Sequence, residues 1–216
     1  MINKLQNKQG VIFDMDGTLV DNIPYHQAAW IQFLAQHAIH LSPHEFHAQN
    51  HGNIDTMIRH FFGNTLSDYA VKKLGQDKEA LYRTLYKPFL KEIAGLTPFL
   101  HQLKKQHLKI GLGTMGDTPN IDFILNGLHL KPHFDVITGG HEVTRGKPHG
   151  EIFIKTCQEM QLAPRACVVI EDSLGGVQAA LHAGIEVIGI TTSHSASELM
   201  QEGCLFTIHD FFAFIK

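Results

Sequence analysis

Short hydrophobic runs alternate along most of the chain with segments in which apolar residues recur every three or four positions. The runs are apolar throughout rather than at every second residue, which is typical of parallel strands covered on both faces. The intervening segments have helical spacing; in one of them Thr118 is expected to cap a helix whose apolar face includes Ile121, Ile124 and Leu128. The pattern predicts strands at residues 10–14, 109–114, 134–138, 167–172, 186–191 and 205–208. This alternation predicts a doubly wound α/β fold with a parallel sheet.

One stretch departs from the alternation. Between residues 22 and 94 the apolar positions follow helical spacing, as in Trp30, Phe33 and Leu34, and no strand is evident. Pro88 is expected to kink or end the last of these helices, because proline has no amide hydrogen to donate. We therefore expect three segments: the first core strand at 1–21, a helical cap domain at 22–94, and the remainder of the α/β core at 95–216.

Composition and charge narrow the classes of function. The chain has 216 residues, of which 44% are hydrophobic, and a net charge of −3, so it lacks the basic surface of a nucleic-acid or anionic-membrane binder. No apolar run approaches the ~20 residues needed to span a bilayer. The N-terminal "MINKLQNKQG" lacks the apolar region of a signal peptide, and three widely spaced cysteines predict reduced thiols. We expect a cytoplasmic protein, monomeric or a small homo-oligomer.

Polar and charged side chains follow several of the predicted strands. Asp14, Thr114 and Asp172 stand at strand ends, and Lys147 falls in the loop after the strand at 134–138. Ligands of open α/β sheets bind at the carboxyl ends of the strands. Neighbouring carboxylates repel one another unless a cation lies between them, and Mg²⁺ prefers oxygen ligands and bridges carboxylates to phosphate oxygens. The sequence therefore predicts a magnesium and phosphate site at this edge of the sheet.

Four motifs, in this order, resemble those of the haloacid dehalogenase-like superfamily, and within it the β-phosphoglucomutase-like phosphatases. They are "DMDGTLVD", Thr114 closing "KIGLGT", Lys147 in "RGKPHGEIF", and Glu171-Asp172 in "VVIEDSLGGVQAA". The resemblance covers essentially the whole chain, and the helical block matches the cap of that family. It implies a Mg²⁺-dependent phosphoric monoester hydrolase that acts on a small-molecule phosphate ester.

The resemblance also implies catalytic roles. Asp14 would attack phosphorus and form an aspartyl-phosphate intermediate, while Asp16 would protonate the leaving oxygen and then activate water. Thr114 and Lys147 would bind the phosphoryl oxygens. The family's dehalogenases lack the second aspartate, so the presence of Asp16 favours phosphoryl transfer.

The same resemblance implies a metal site and a substrate contact. Asp14, the backbone carbonyl of Asp16, and Asp172 would hold Mg²⁺, with Glu171 as a weaker candidate. His26 lies in "DNIPYHQAAW", which is similar to the linker and first cap helix of the group, where a histidine lies near the site. It is therefore a candidate substrate-side residue.

Each motif also has a simpler interpretation on its own. Asp14 and Asp16 fit an Asx turn after a strand, and Glu171-Asp172 fit a helix cap. Thr114 would serve as a turn cap, and Lys147 as an ordinary solvated lysine. The occurrence of all four motifs in order favours the phosphate site.

Simple hydrolysis is favoured over mutase activity. Sugar-phosphate mutases of the group use a cap arginine soon after a glycine to hold a second phosphate; here "NHGNIDTMIR" has Asp55 at that place, with Arg59 one helical turn on. No basic residue follows Thr114 closely. The alternatives kept open are a β-phosphoglucomutase-type mutase, an inorganic pyrophosphatase, and a non-catalytic phosphate-binding protein.

One glycine-rich segment points to a different class of protein. "GLGTMG" at 111–116 fits the G-x-G-x-x-G pattern of dinucleotide-binding folds, with Asp135 about 20 residues on. This keeps a dinucleotide-dependent oxidoreductase open. Against it, the pattern normally follows the first strand of the unit, and here the helix is expected to start only near Thr118.

Histidine is unusually frequent, with 16 in the chain. His44, His47 and His51 have the spacing of one helix face. A structural zinc site needs a fourth ligand with suitable geometry, and none is evident, so we expect a solvated face.

Overall fold

The structure, a computed structural model, describes residue 5, residues 7–50 and residues 52–215. The chain divides into two compact units. The core unit comprises Met1–Asp21 with Leu90–Lys216, and the helical unit comprises Asn22–Phe89. The expected boundary at residue 94 lies slightly further along the chain.

The described residues of the helical unit form four α-helices and no strand. The helices are α1 (Ile23–Gln36), α2 (Pro43–Gln49), α3 (Ile54–Phe62) and α4 (Asp68–Tyr86). As predicted, α4 ends before Pro88, which lies in a 3₁₀ turn. The short α2 was not among the predicted helices; it begins at a capping box in which Ser42 Oγ accepts from Glu45 N and Glu45 Oε2 accepts from Ser42 N.

The interior of the helical unit is built from large apolar side chains, as the spacing of its hydrophobic residues predicts. Side chains from all four helices meet in one buried cluster, formed by Trp30, Phe33, Leu34, Phe46, Met57, Ile58 and Val71. Burial of this kind supplies most of the stability of short helices.

As far as the structure describes it, the core unit contains one six-stranded sheet, in which every paired strand is parallel to its neighbours. The strands are β1 (Gly10–Phe13), β2 (Lys109–Gly113), β3 (Val136–Thr138), β4 (Cys167–Glu171), β5 (Glu186–Ile190) and β6 (Thr207–Ile208). They lie in the order β3-β2-β1-β4-β5-β6. All six predicted strands and the doubly wound α/β class are confirmed.

Helices connect and cover the strands of the core unit. They are α5 (Leu96–Lys105), α6 (Thr118–Gly127), α7 (Glu151–Glu159), α8 (Leu174–His182) and α9 (Ala196–Glu202). The predicted cap of α6 is wrong by one residue: Asp117 caps it by accepting from Asn120 N at 3.0 Å, and Thr118 is the first helical residue. Aspartate ranks above threonine as an N-cap, which explains the difference.

The first strand lies where the strand order reverses. Successive strands run outward from β1 to β2 and β3 on one side, and from β4 to β5 and β6 on the other. Phe13 pairs with Leu112 of β2 and with Ile170 of β4, so Asp14 leaves the sheet between the ends of those two strands. Such a switch point is where open α/β sheets bind their ligands.

Among the described residues, no helix is long and apolar enough to cross a membrane.

Candidate active site

The chain makes a tight turn directly after β1. Gly17 N donates to Val20 O at 2.8 Å, Leu19 N donates to Met15 O at 2.8 Å, and the φ angle of Gly17 is +80°. A Cβ atom at position 17 would lie 2.1 Å from Oδ2 of Asp172. Glycine is therefore required here both for its backbone conformation and for the close approach to that carboxylate.

Asp14 and Lys147 meet across 133 positions of sequence. The Asp14 side chain is buried, and Lys147 Nζ donates to Asp14 Oδ1 at 2.6 Å. The same ammonium donates to Glu171 Oε1 at 2.6 Å. Lys147 therefore joins the carboxyl ends of β1 and β4 through two charge-assisted hydrogen bonds.

The loop that carries Lys147 is held by Glu151 at the start of α7. Its carboxylate accepts hydrogen bonds from Thr144 N and Arg145 N, each at 3.0 Å. On the far side, Pro148 O lies 2.9 Å from His182 Nδ1. Hydrogen bonds to the backbone before and after Lys147 thus fix the position of its Cα atom.

Glu171 and Asp172 end β4 and are buried, with different partners. Glu171 Oε2 accepts from Ser173 N at 2.6 Å, so both of its carboxylate oxygens have protein donors. Asp172 Oδ1 accepts from Thr18 Oγ1 at 3.2 Å, and its Oδ2 accepts from Ser193 Oγ. Lys147 therefore pairs with Glu171 as well as with Asp14, whereas Asp172 is held by hydroxyl groups.

Burial dominates the electrostatics of the cluster. It raises the pKa of Asp14 to about 7; the Lys147 ammonium opposes this shift, and the charges of Glu171 and Asp16 add to it. Burial also raises the pKa of Asp172 well above its ordinary range, with Glu171 and Asp14 adding to the shift. Burial alone would lower the pKa of Lys147, but the Asp14 and Glu171 carboxylates raise it above its ordinary range.

The donor set fits a hard divalent cation. Asp14, Glu171 and Asp172 each offer a carboxylate oxygen, and these atoms lie within 4.8 Å of one another. The cluster holds three buried carboxylates, and the Lys147 ammonium pairs with two of them, so the cluster carries an excess of negative charge when all three are ionised. Oxygen ligands with excess negative charge match Mg²⁺, and a cation would relieve the repulsion that raises the carboxylate pKa values.

The structure brings four of the predicted site residues into direct or near contact: Asp14, Lys147, Glu171 and Asp172. Asp16 is half-buried in the turn that follows β1, and its charge contributes to the pKa of Asp14. Thr114 is buried just beyond β2, the neighbour of β1, where its Oγ1 accepts from Gly116 N at 3.0 Å.

His26 lies in the helical unit, on α1. Its ring stacks on Tyr82, with ring centroids 3.6 Å apart, and its Nδ1 lies 3.1 Å from Lys78 Nζ. Lys78 is itself buried on α4 and donates to Glu79 Oε1 at 2.9 Å. His26 thus belongs to a polar network inside the helical unit.

Sequence reasoning missed two polar residues that the structure makes prominent. Lys78 occupies the buried face of α4, in line with Val71, Gly75 and Tyr82. That helical spacing is visible in the sequence and would have marked Lys78 as a lysine at an interior position. Ser193 lies in the hydroxyl-rich "TTSHS" that follows β5, at the same edge of the sheet as Asp172.

The glycine-rich "GLGTMG" has a packing explanation. Gly111 and Gly113 lie inside β2 rather than in a turn that opens a helix. A Cβ atom would lie 2.7 Å from Met160 Sδ at Gly111, and 3.0 Å from Phe153 Cδ1 at Gly113. These glycines therefore let α7 and its C-terminal end pack closely on β2, which is a different role from cradling a dinucleotide.

The histidine face is solvated as far as the structure describes it. His44 and His47 are exposed on α2. His51 lies outside the described residues.

Comparisons with known proteins identify a matching family and similar proteins. The model of the haloacid dehalogenase-like hydrolase family matches residues 8–184. Hexitol phosphatase A of Escherichia coli (strain K12) is 32% identical over 184 residues, which cover 84% of this chain and 82% of that protein. A HAD hydrolase of family IA, variant 3, from Entamoeba histolytica has a TM-score of 0.87 at 31% identity, covering 95% of this chain and 94% of that one.

A second solved structure shows the fold alone. It is β-phosphoglucomutase from Clostridium difficile, which has a TM-score of 0.82 at 22% identity and covers 97% of this chain and 93% of its own. The family match spans all four motifs, and the curated relative is a phosphatase. The chain therefore belongs to the haloacid dehalogenase-like hydrolase family and is a phosphoric monoester hydrolase of that family.

Proposed function

We propose that this enzyme is a Mg²⁺-dependent phosphatase that hydrolyses a small phosphate ester through an aspartyl-phosphate formed on Asp14. The observation that carries the proposal is the Lys147 ammonium, on a side chain only 12% exposed and 2.6 Å from both Asp14 Oδ1 and Glu171 Oε1. A carboxylate oxygen of Asp172 lies within 4.8 Å of those of Asp14 and Glu171, at the switch point of the sheet. Together these groups provide a nucleophile, a cation for phosphoryl oxygens and oxygen ligands for a metal.

The metal ligands follow from the carboxylate cluster. Asp14, Asp172 and the backbone carbonyl of Asp16 would hold Mg²⁺, with Glu171 as a further candidate. A bound Mg²⁺ would neutralise charge on the phosphoryl oxygens and on the cluster.

The side chains of the protein carry the chemical steps. A carboxylate oxygen of Asp14 forms a bond to phosphorus while the bond from phosphorus to the ester oxygen breaks, and Asp16 gives that oxygen a proton. Asp16 then takes a proton from water, which attacks the phosphorus of the aspartyl-phosphate and releases inorganic phosphate and free Asp14. Lys147 and Thr114 would stabilise the charge on the phosphoryl oxygens during both steps.

Asp14 must be ionised to act as a nucleophile. Burial raises its pKa to about 7, so in the protein without metal a large share of Asp14 is protonated near neutral pH. A cation at the cluster would favour the ionised form, because an opposite charge within a few ångströms lowers a carboxyl pKa.

A sugar phosphate is the substrate class best supported by similarity. Hexitol phosphatase A, which is 32% identical, is named for a phosphorylated sugar alcohol. His26 would contact the substrate, and its network with Lys78 and Tyr82 in the helical unit would fix the orientation of its ring.

Hydrolysis is favoured over phosphate transfer between two positions of a sugar. A mutase needs a cation for a second phosphate, but Asp55 stands where the cap arginine is expected. Arg59, the substitute considered above, has its guanidinium paired with Asp68 at 2.5 Å and with Leu66 O at 2.9 Å. The residues that follow Thr114 are Met115, Gly116 and Asp117, none of which is basic, and Asp117 serves as the N-cap of α6.

The test is phosphate release from a panel of sugar phosphates, hexitol phosphates and pyrophosphate, with Mg²⁺ and with EDTA. We expect Mg²⁺-dependent release from at least one ester, abolished in Asp14→Asn. Conversion of β-glucose 1-phosphate to the 6-phosphate would indicate a mutase instead, and release from pyrophosphate alone would indicate a pyrophosphatase. Phosphate binding without turnover of any ester would overturn the proposal in favour of a binding protein.

A further inference from the structure

Three consecutive side chains after β5 contact the residues that surround the carboxylate cluster. Thr192 Oγ1 donates to Gly17 O at 2.5 Å, Ser193 Oγ donates to Asp172 Oδ2, and His194 Nδ1 lies 3.0 Å from Asp172 O. The segment 192–194 therefore bonds both to the turn after β1 and to the end of β4. None of the four family motifs includes it.

Among the residues that the structure describes, two hydroxyl donors and one close backbone approach hold the Asp172 side chain. Its side chain is buried, and the backbone of Gly17 lies so close to Oδ2 that a Cβ atom there would be only 2.1 Å away. The hydroxyl of Thr18 donates to Oδ1 at 3.2 Å, and that of Ser193 donates to Oδ2. Rotation of the carboxylate is thus restrained by one hydroxyl on each oxygen.

Ser193 is exposed as a residue, yet its hydroxyl points inward to a carboxylate that is only 2% exposed. Water has little access to take over a hydrogen bond at such a carboxylate. A hydroxyl is also both donor and acceptor, so it can serve the ionised carboxylate as a donor without adding charge.

We propose that Ser193 is a positioning residue for metal binding: its hydroxyl holds the Asp172 carboxylate in the orientation in which one oxygen serves as a Mg²⁺ ligand. This inference rests on the proposed function, because it assigns Asp172 to the metal. Groups that hydrogen-bond to metal ligands orient them, and their loss typically costs about 10-fold to 100-fold in metal affinity. Ser193 would therefore act on the metal through Asp172 without touching the reacting phosphorus.

The test measures the Kd of Mg²⁺ by isothermal titration calorimetry on protein stripped with EDTA. Ser193→Ala removes the hydroxyl, and Ser193→Thr keeps it. Ser195→Ala is the matched control, because it removes a serine hydroxyl from the same loop. Ser195 caps α9 by accepting from Glu198 N at 3.3 Å and does not bond to Asp172.

We expect Ser193→Ala to weaken Mg²⁺ binding about 10-fold or more, and Ser193→Thr to stay within about threefold of the parent protein. Ser195→Ala is expected to lower the unfolding temperature, measured without metal, and to leave the Kd of Mg²⁺ unchanged.

The outcomes separate this inference from the proposed function. If the parent protein binds Mg²⁺ and Ser193→Ala binds it equally well, the positioning role is wrong while the proposed function stands. Equal weakening by Ser193→Ala and Ser195→Ala would also overturn it, because the effect would then be general loosening of the loop. If the parent protein itself does not bind Mg²⁺, the proposed function fails first and the inference fails with it.

Discussion

Lys147 gives the sharpest energetic prediction, because its ammonium bonds to two buried carboxylates. The Lys147 side chain is 12% exposed, and those of its partners Asp14 and Glu171 are 8% and 1% exposed. Replacing Lys147 by methionine keeps a long apolar stem but leaves both carboxylates without their cation. Breaking a buried ion pair in this way costs about 3–5 kcal/mol, and we expect a loss of that size at about pH 8 without metal.

The loss should depend on pH in a defined direction. Even with Lys147 present, burial raises the pKa of Asp14 from 3.8 to about 7. Without the ammonium this pKa rises further in the folded state, so folding favours the protonated form and stability falls as pH rises from about 4 through the folded-state value. The cost of Lys147→Met is therefore expected to be smaller at about pH 5, where Asp14 takes up a proton, than at about pH 8.

The assay is urea unfolding followed by circular dichroism, in EDTA, at both pH values. Trp30 and all four tyrosines lie in the helical unit, so fluorescence reports that unit and helps to assign the transition of the core unit. Lys104→Met is the control: Lys104 pairs with Asp135 at 2.7 Å, but both side chains are more than a third exposed, so the expected cost is about 0–1 kcal/mol. Equal effects of the two substitutions, or no pH dependence for Lys147→Met, would refute the reasoning.

Two further predictions concern the metal and the proton donor. Burial raises the pKa values of Asp14 and Asp172, so protons compete with Mg²⁺ for these carboxylates. Adding Mg²⁺ should therefore raise the unfolding temperature more at about pH 8 than at about pH 5. An equal rise at both pH values would contradict this. Asp16→Asn should lower kcat/KM about 10²-fold or more for an alkyl phosphate but less for p-nitrophenyl phosphate, whose leaving group needs no proton; equal losses would contradict general acid catalysis by Asp16.

The sequence was sufficient for the sheet because each strand is a continuous apolar run between polar turns. Val11, Ile12 and Phe13 are fully buried in β1, and Asp14 follows them at the sheet edge as predicted. The position of the motif residues at strand ends was therefore predictable from local pattern and the rule for parallel sheets. The contact between Lys147 and Glu171 was not, because it depends on how the loop before α7 folds back.

The residues that the sequence did not reveal make contacts with distant parts of the chain or lie where their residue type is unusual. Ser193 is one of several hydroxyl residues after β5, and only the fold shows that its side chain meets Asp172 rather than capping α9, as Ser195 does. Lys78 is a lysine at a buried helical position, which charge alone would place on the surface. The α2 helix was missed because it has only seven residues and a single buried one, Phe46.

The central claim is that Asp14 becomes phosphorylated during turnover. The most direct measurement mixes Asp16→Asn, which should be slow to activate water, with p-nitrophenyl phosphate and Mg²⁺, and stops the reaction with acid. Borohydride then reduces any acyl phosphate, and peptide mass spectrometry locates the product. We predict homoserine at position 14; an unmodified Asp14, or homoserine at another aspartate, would contradict the account.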